Sequence, residues 1–125
     1  MSDLERILYI EDEADIREVA LLALDVVGGF SVKACASGQE ALAEAQAFAP
    51  QLILSDVMMP GLDGPATIKA LREIPSLADV PVVFMTAKVQ PDEINHFKSL
   101  GVLDVISKPF DPMILADQVR SIWAR

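Results

Sequence analysis

A single cysteine, Cys35, and a single histidine, His96, stand among the 125 residues. One cysteine cannot close an internal disulfide, and one cysteine with one histidine does not make the usual zinc set. The chain lacks any apolar run of the roughly 20 residues that a bilayer-spanning helix needs, and its charged start, MSDLER, is unlike a secretory signal. A soluble, cytoplasmic protein with no membrane partner is therefore expected. Positive charge is scarce too: 10 Lys and Arg against 19 Asp and Glu leave a net charge of −9. A polyanion without a basic cluster repels phosphate backbones, so no direct binding to nucleic acid is expected. Repeats, low-complexity tracts and linkers are missing. One domain over residues 1–125 is expected, with no output domain.

What is present is apolar and periodic. Hydrophobic residues make up 52% of the chain, ample for a packed core. Strand-length apolar runs occur at residues 6–10 (RILYI), 30–35 (FSVKAC), 51–55 (QLILS), 80–85 (VPVVFM) and 103–106 (LDVI). Helical patterns lie between them. In the first, Ile16, Val19, Ala20, Ala23 and Val27 share a face, and Gly28-Gly29 ends it. The second opens with Ser37 and Glu40 as a capping box and turns Leu42, Ala45 and Ala49 inward. The third runs from about Pro65 to Glu73, and the fourth from about Pro91 to Leu100 with Phe97 and Leu100 on its core side. The last starts at Asp111-Pro112 and buries Leu115, Val119 and Ile122. Alternating strands and helices imply right-handed crossovers and an α/β, doubly wound, mainly parallel sheet covered on both faces.

Such sheets bind ligands beyond the carboxyl ends of their strands. The first strand delivers Glu11, Asp12 and Glu13 there, the third Asp56, the fourth Thr86, and the fifth Lys108 followed by Pro109. Clustered carboxylates raise one another's pKa values unless a cation joins them. An all-oxygen set suits a hard divalent ion, most simply Mg2+, which also binds phosphate oxygens. Asp56 can then serve both as ligand and as nucleophile, since carboxylates form aspartyl phosphates. Lys108 and Thr86 would offer an ammonium and a hydroxyl to phosphoryl oxygens. Each piece also has a plainer reading: the acidic triplet as stabiliser of a helix N-terminus, Thr86 as a strand end, Lys108 as a solvated charge, and MMPGLDG as a turn. Only their joint delivery to one end of the sheet favours phosphoryl chemistry.

The stretches ILYIEDE, SDVMMPGLDG, VVFMTA and SKPF, in this order over essentially the whole chain, closely resemble the receiver domain of bacterial response regulators. The resemblance implies a flavodoxin-like (βα)5 sandwich, with five parallel strands in the order 2-1-3-4-5. It implies that Asp56 accepts a phosphoryl group from a sensor histidine kinase or a phosphotransfer protein, so the chain would be a phosphoacceptor and not a conventional enzyme. Mg2+ would be held by Asp12, Glu11, Asp56 and the backbone carbonyl of Met58. Thr86 would be the switch hydroxyl, Lys108 its partner at the phosphoryl group, and Lys108–Pro109 a cis peptide bond. Glu13 has no matching role and is left to helix capping or general electrostatics.

Two positions depart from the family pattern. Glu11 stands where Asp is common and is one methylene longer. Val105 stands where Tyr or Phe is common, and a short β-branched side chain has no ring to swing, so it is a weak switch position. The surface of the fourth helix, fifth strand and fifth helix would still carry a signal to an unknown downstream protein, and a homodimer through it is open to this fold. Three other classes compete with this reading. A phosphorylation-independent interaction module with receiver architecture is the main alternative. A phosphatase lacks its second acid, because Met58 stands two residues beyond Asp56. A flavin carrier is disfavoured by acids where phosphate-cradling amides belong. Trp123 is read as a packing aromatic, Met58 and Met59 as space-filling beside the site, and His96 as having no catalytic role.

Overall fold

The computed structural model describes residues 3–87 and 90–125. Five parallel strands form one sheet in the order β2-β1-β3-β4-β5. They are β1 (Arg6–Ile10), β2 (Ser31–Cys35), β3 (Leu52–Asp56), β4 (Val82–Thr86) and β5 (Asp104–Ser107). The helices are α1 (Ala14–Leu21), α2 (Gly38–Phe48), α3 (Gly64–Arg72), α4 (Pro91–Ser99) and α5 (Leu115–Trp123), with a short 3-10 turn at Pro75–Leu77. Fold class and strand order are those expected.

The two-residue period of the strands divides the core. Ile7, Tyr9, Leu54 and Met85 point to the side covered by α1 and α5, where Ala20, Leu24, Leu115 and Val119 meet them. Leu8, Ile10, Ile53 and Phe84 point to the opposite side, against Ala41, Ile68, Leu71 and Phe97 of α2, α3 and α4. Every residue of β3 and of β4 is buried. Two covered faces explain why these runs show no polar alternation.

Several helix details differ from the sequence expectation. After Leu21 the first helix widens into a π-helical turn, Leu22–Val27, with the Gly28 amide donating to the Ala23 carbonyl at 3.0 Å. The wider turn shifts the phase. Leu24 is buried, while Val19 and Val27, expected inside, are 42% and 60% exposed. Gly28 takes the inward place against α5, where an added Cβ would lie 2.7 Å from the Ala116 Cβ. Ala49, also expected inside, is exposed and caps α2 in the left-handed conformation, with φ of 53°. Leu100 caps α4 and is exposed, leaving Phe97 as the buried side chain of that helix. At the last helix, Asp111 caps a turn through Met113, its carboxylate accepting that amide at 2.9 Å, and the regular helix begins only at Leu115.

The capping box holds: Ser37 Oγ accepts from the Glu40 amide at 3.0 Å, and the Glu40 carboxylate accepts from the Ala36 amide at 3.3 Å. No helix among the described residues is long and apolar enough to cross a membrane.

Candidate functional site

The strand ends bring Glu11, Asp12, Asp56, Thr86 and Lys108 to one edge of the sheet. Glu11 directly follows β1 and is fully buried, its amide donating to the Cys35 carbonyl at 3.0 Å. That bond extends the β1–β2 ladder by one residue and aims the next two acids past the sheet. Arg17 then ties down the turn, donating from its guanidinium to the Glu11 carbonyl at 2.8 Å. Glu13 occupies the N-cap position of α1, but its side chain makes no capping bond. Its amide instead donates to the Glu11 carboxylate at 3.3 Å, so capping by the Glu13 side chain is not seen.

Asp56 is the last residue of β3 and is buried. Ser55 beside it, fully buried, donates its hydroxyl to the Asp56 carbonyl at 2.9 Å. The chain turns sharply afterwards, and α3 returns hard against the strand end. A Cβ on Gly64 would lie 2.6 Å from the Asp56 carbonyl oxygen and 2.9 Å from the Val57 Cα. Only glycine fits there. Asp63, one residue earlier, caps α3 by accepting from the Ala66 amide at 2.9 Å.

Carboxylate oxygens of Glu11, Asp12 and Asp56 all lie within 4.8 Å of one another. The Lys108 ammonium joins this group, 2.8 Å from Glu11 and 3.4 Å from Asp56. The Glu11 carboxyl is raised to about 7, by burial first and then by Asp56, against the lowering effect of the Lys108 hydrogen bond. For Lys108 burial acts downward, but the hydrogen bond to Glu11 and the charge of Asp56 outweigh it and leave the ammonium raised. Three clustered acids therefore have one ammonium among them, and it contacts two, Glu11 and Asp56. The donor set is all oxygen and short of positive charge, which fits a hard divalent cation.

Thr86 ends β4, buried, and pairs in register with Ser107 of β5. The Lys108 amide donates to the Thr86 carbonyl at 2.9 Å. Thr86 and Lys108 are thus fixed to each other through the backbone. The Lys108–Pro109 peptide bond is cis. Val105 is half-buried on β5, opposite Phe84, and packs against the core on the α2–α4 side. Met58 lies in the loop after Asp56 with its side chain 69% exposed, whereas Met59 is buried; only Met59 fills space.

Sequence reasoning missed three contributors. Arg17 was readable as a lone cation one turn beyond three acids, and Ser55 as a lone hydroxyl in an apolar strand. Tyr9, fully buried one strand period before Glu11, gave no signal. Burial first, then the charges of Glu11 and Asp56, hold its phenol well above its ordinary value.

Residues 7–120 match the response regulator receiver domain family. The chain belongs to that family. Its receiver fold superposes on the chemotaxis protein CheY4 of Vibrio cholerae with a TM-score of 0.87 at 29% identity, covering 95% of this chain and 98% of that one. A putative response regulator from Chloroflexus aurantiacus gives 0.85 at 30% identity, covering 98% and 100%. In sequence the receiver is 38% identical over 120 residues to the response regulator Rre1 of Synechocystis, covering 95% of this chain and 52% of that protein. It is 34% identical over its full length to the transcriptional regulatory protein CseB of Streptomyces coelicolor, and again covers 52% of it. The chain thus spans about half the length of these curated relatives. It is a receiver domain of the two-component type, a family that partners with histidine kinases.

Proposed function

We propose that this receiver accepts a phosphoryl group on Asp56, from the phosphohistidine of a sensor histidine kinase or of a phosphotransfer protein. An Asp56 carboxylate oxygen attacks phosphorus, the N–P bond breaks as the O–P bond forms, and the imidazole leaves with a proton from water. The observation that carries this reading is the Lys108 ammonium lodged between Glu11 and Asp56, residues contributed by three different strand ends. A lysine so placed can pair with a phosphoryl oxygen once Asp56 has reacted.

Glu11, Asp12, Asp56 and the Met58 carbonyl would hold Mg2+. When bound, the ion supplies positive charge to the transferring phosphoryl oxygens. Thr86, tied to Lys108 through the backbone, would offer its hydroxyl to the same group. The new charge would then favour one arrangement of α4, β5 and α5, which an unknown downstream protein reads. The acceptor role makes the domain a substrate that assists its own modification, not a turnover enzyme. We take residues 1–125 as one receiver acting in the cytoplasm, with a homodimer as an arrangement open to it.

The donor surface is supported by where apolar side chains are exposed. Val19, Leu22 and Val26 on the first helix, with Met113 and Ile114 before α5, are all 42% to 74% exposed. Exposed apolar side chains on these elements suit the helices of a phosphohistidine-bearing partner.

The test is intact mass after incubation with acetyl phosphate and Mg2+, alongside Asp56→Ala. One labile phosphoryl adduct is expected, absent in the variant and suppressed by chelator. No adduct with any donor would sink this reading and favour a phosphorylation-independent interaction module. Steady phosphate release from unrelated monoesters would instead indicate a phosphatase.

A further inference from the structure

Away from the acidic edge, on the α2–α4 side of the sheet, a cleft of about 380 Å3 opens between α3 and the turn that follows α4. Its walls are Ala66, Ile68, Phe84, Leu100 and Val102, and its lining also includes Lys69 and Arg72. The volume is within the range of small-molecule sites, roughly 300–1,000 Å3. The apolar floor belongs to the fold's core: Phe84 is fully buried and meets the Phe97 ring edge-on at 5.1 Å.

The two cations set this cleft apart from an ordinary gap between helices. Arg72 donates to the Leu100 and Gly101 carbonyls at 2.6 and 3.0 Å. These neutral acceptors hold the guanidinium still, yet they use only two of its five N–H groups. Neither Arg72 nor Lys69 has a carboxylate within 4.0 Å among the described residues, although the chain carries 19 Asp and Glu. Arg6, Arg17 and Lys98 likewise have no carboxylate within 4.0 Å among the described residues, so it is the position of Lys69 and Arg72, not their lack of an acid, that matters. These two, three residues apart on one helix face, stand beside an apolar cavity.

We infer that the α3–α4 cleft binds a small amphipathic carboxylate, its apolar body against Phe84, Ile68 and Val102 and its carboxylate on Arg72 and Lys69. The net charge of −9 opposes any anion at long range, but that field is screened beyond roughly 8 Å at physiological salt. Of the residues that line the cleft, only Lys69 and Arg72 are charged. An arginine already held in place loses little side-chain freedom on binding, which favours a fork-shaped acceptor over a point charge. The site shares no residue with Glu11, Asp12, Asp56, Thr86 or Lys108, so it stands whether or not Asp56 is phosphorylated.

Sodium octanoate is a direct probe, titrated into the 15N-labelled protein and followed by NMR. Saturable shifts are expected at residues 65–72, 84 and 100–102, with a dissociation constant at or below about 1 mM. Octyltrimethylammonium, with the same chain and the opposite charge, should not produce them. Lys69→Gln, an exposed change that leaves the core intact, should weaken octanoate roughly two- to fivefold. Ala66→Phe should fill the cleft and abolish the shifts. If that variant does not fold, the Lys69→Gln comparison decides alone. Equal binding of the cationic probe, shifts scattered over the surface, no saturation by about 10 mM, or unchanged affinity in Lys69→Gln would each overturn the inference.

Discussion

Lys108 lies nearer to Glu11, at 2.8 Å, than to Asp56, at 3.4 Å. The extra methylene of Glu11 lets the first acid after β1 reach across to an ammonium delivered by β5. Lysine and a divalent ion would therefore draw on the same carboxylates. Removing the lysine should strengthen metal binding, because one resident positive charge no longer opposes the incoming one. For Lys108→Ala the expected gain in Mg2+ affinity is about tenfold, taking a surface-like effective dielectric. Without metal, the same variant should be less stable, as buried acids lose their cation. Isothermal titration with MgCl2 reads the first effect and urea unfolding in chelator the second. Equal or weaker affinity in the variant would show that the lysine and the ion do not share a site.

Gly64 should be as intolerant as the acids. Alanine there would put a methyl group 2.6 Å from the Asp56 carbonyl oxygen. Either α3 or the end of β3 must move, at a cost of about 1–3 kcal/mol by comparison with overpacked cores. Urea unfolding should register that loss, and acetyl phosphate labelling of Asp56 should slow with it. Wild-type stability and labelling would show that α3 does not set the position of Asp56.

Phe97 is the buried side chain that fastens α4, through its edge-on contact with Phe84. Phe97→Ala should cost up to about 3–5 kcal/mol if the helix stays docked. Because Phe97 is the one buried side chain of α4 among the described residues, the helix is expected to melt locally instead. Hydrogen exchange should then quicken at residues 91–99 while β1 and β3 keep their protection. Uniform loss of protection across the sheet would contradict this account.

Cys35 offers a test that depends on pH. It is buried at the end of β2, and burial together with the neighbouring Glu40 charge pushes its thiol up to about 12 from 9.0. The folded state holds the proton more tightly than the unfolded chain. Stability from this group is therefore full below pH 9 and falls as pH rises from 9 toward 12. At pH 8 the native protein should resist a thiol-reactive disulfide reagent and react only as fast as it unfolds. Rapid labelling of the native state would mean that the thiol is not buried as described.

The sheet was the most legible part of the sequence, because β3 and β4 are buried on both faces and their apolar runs stand out without any periodicity. Strand edges moved by a residue or two where a polar side chain belonged to the ladder: Asp56 and Thr86 are part of their strands, not residues beyond them. The π-helical turn was invisible. A 3.6-residue period assigned Val27 inward, and only the hydrogen bond from Gly28 to Ala23 shows why Leu24 went in instead. The acids could be placed at one edge from strand order alone. That Lys108 would bond first to Glu11, 97 residues away, depended on a side-chain length whose effect appears only in three dimensions.

β3 is the middle strand of five, flanked by β1 on one side and β4 on the other. A carboxylate there is anchored to the stiffest line of the molecule, so whatever happens to it cannot be absorbed by a yielding backbone. Any rearrangement that starts there would have to travel sideways, from the hub toward the rim, where β5 has only one neighbour and α4 buries one side chain, Phe97, among the described residues.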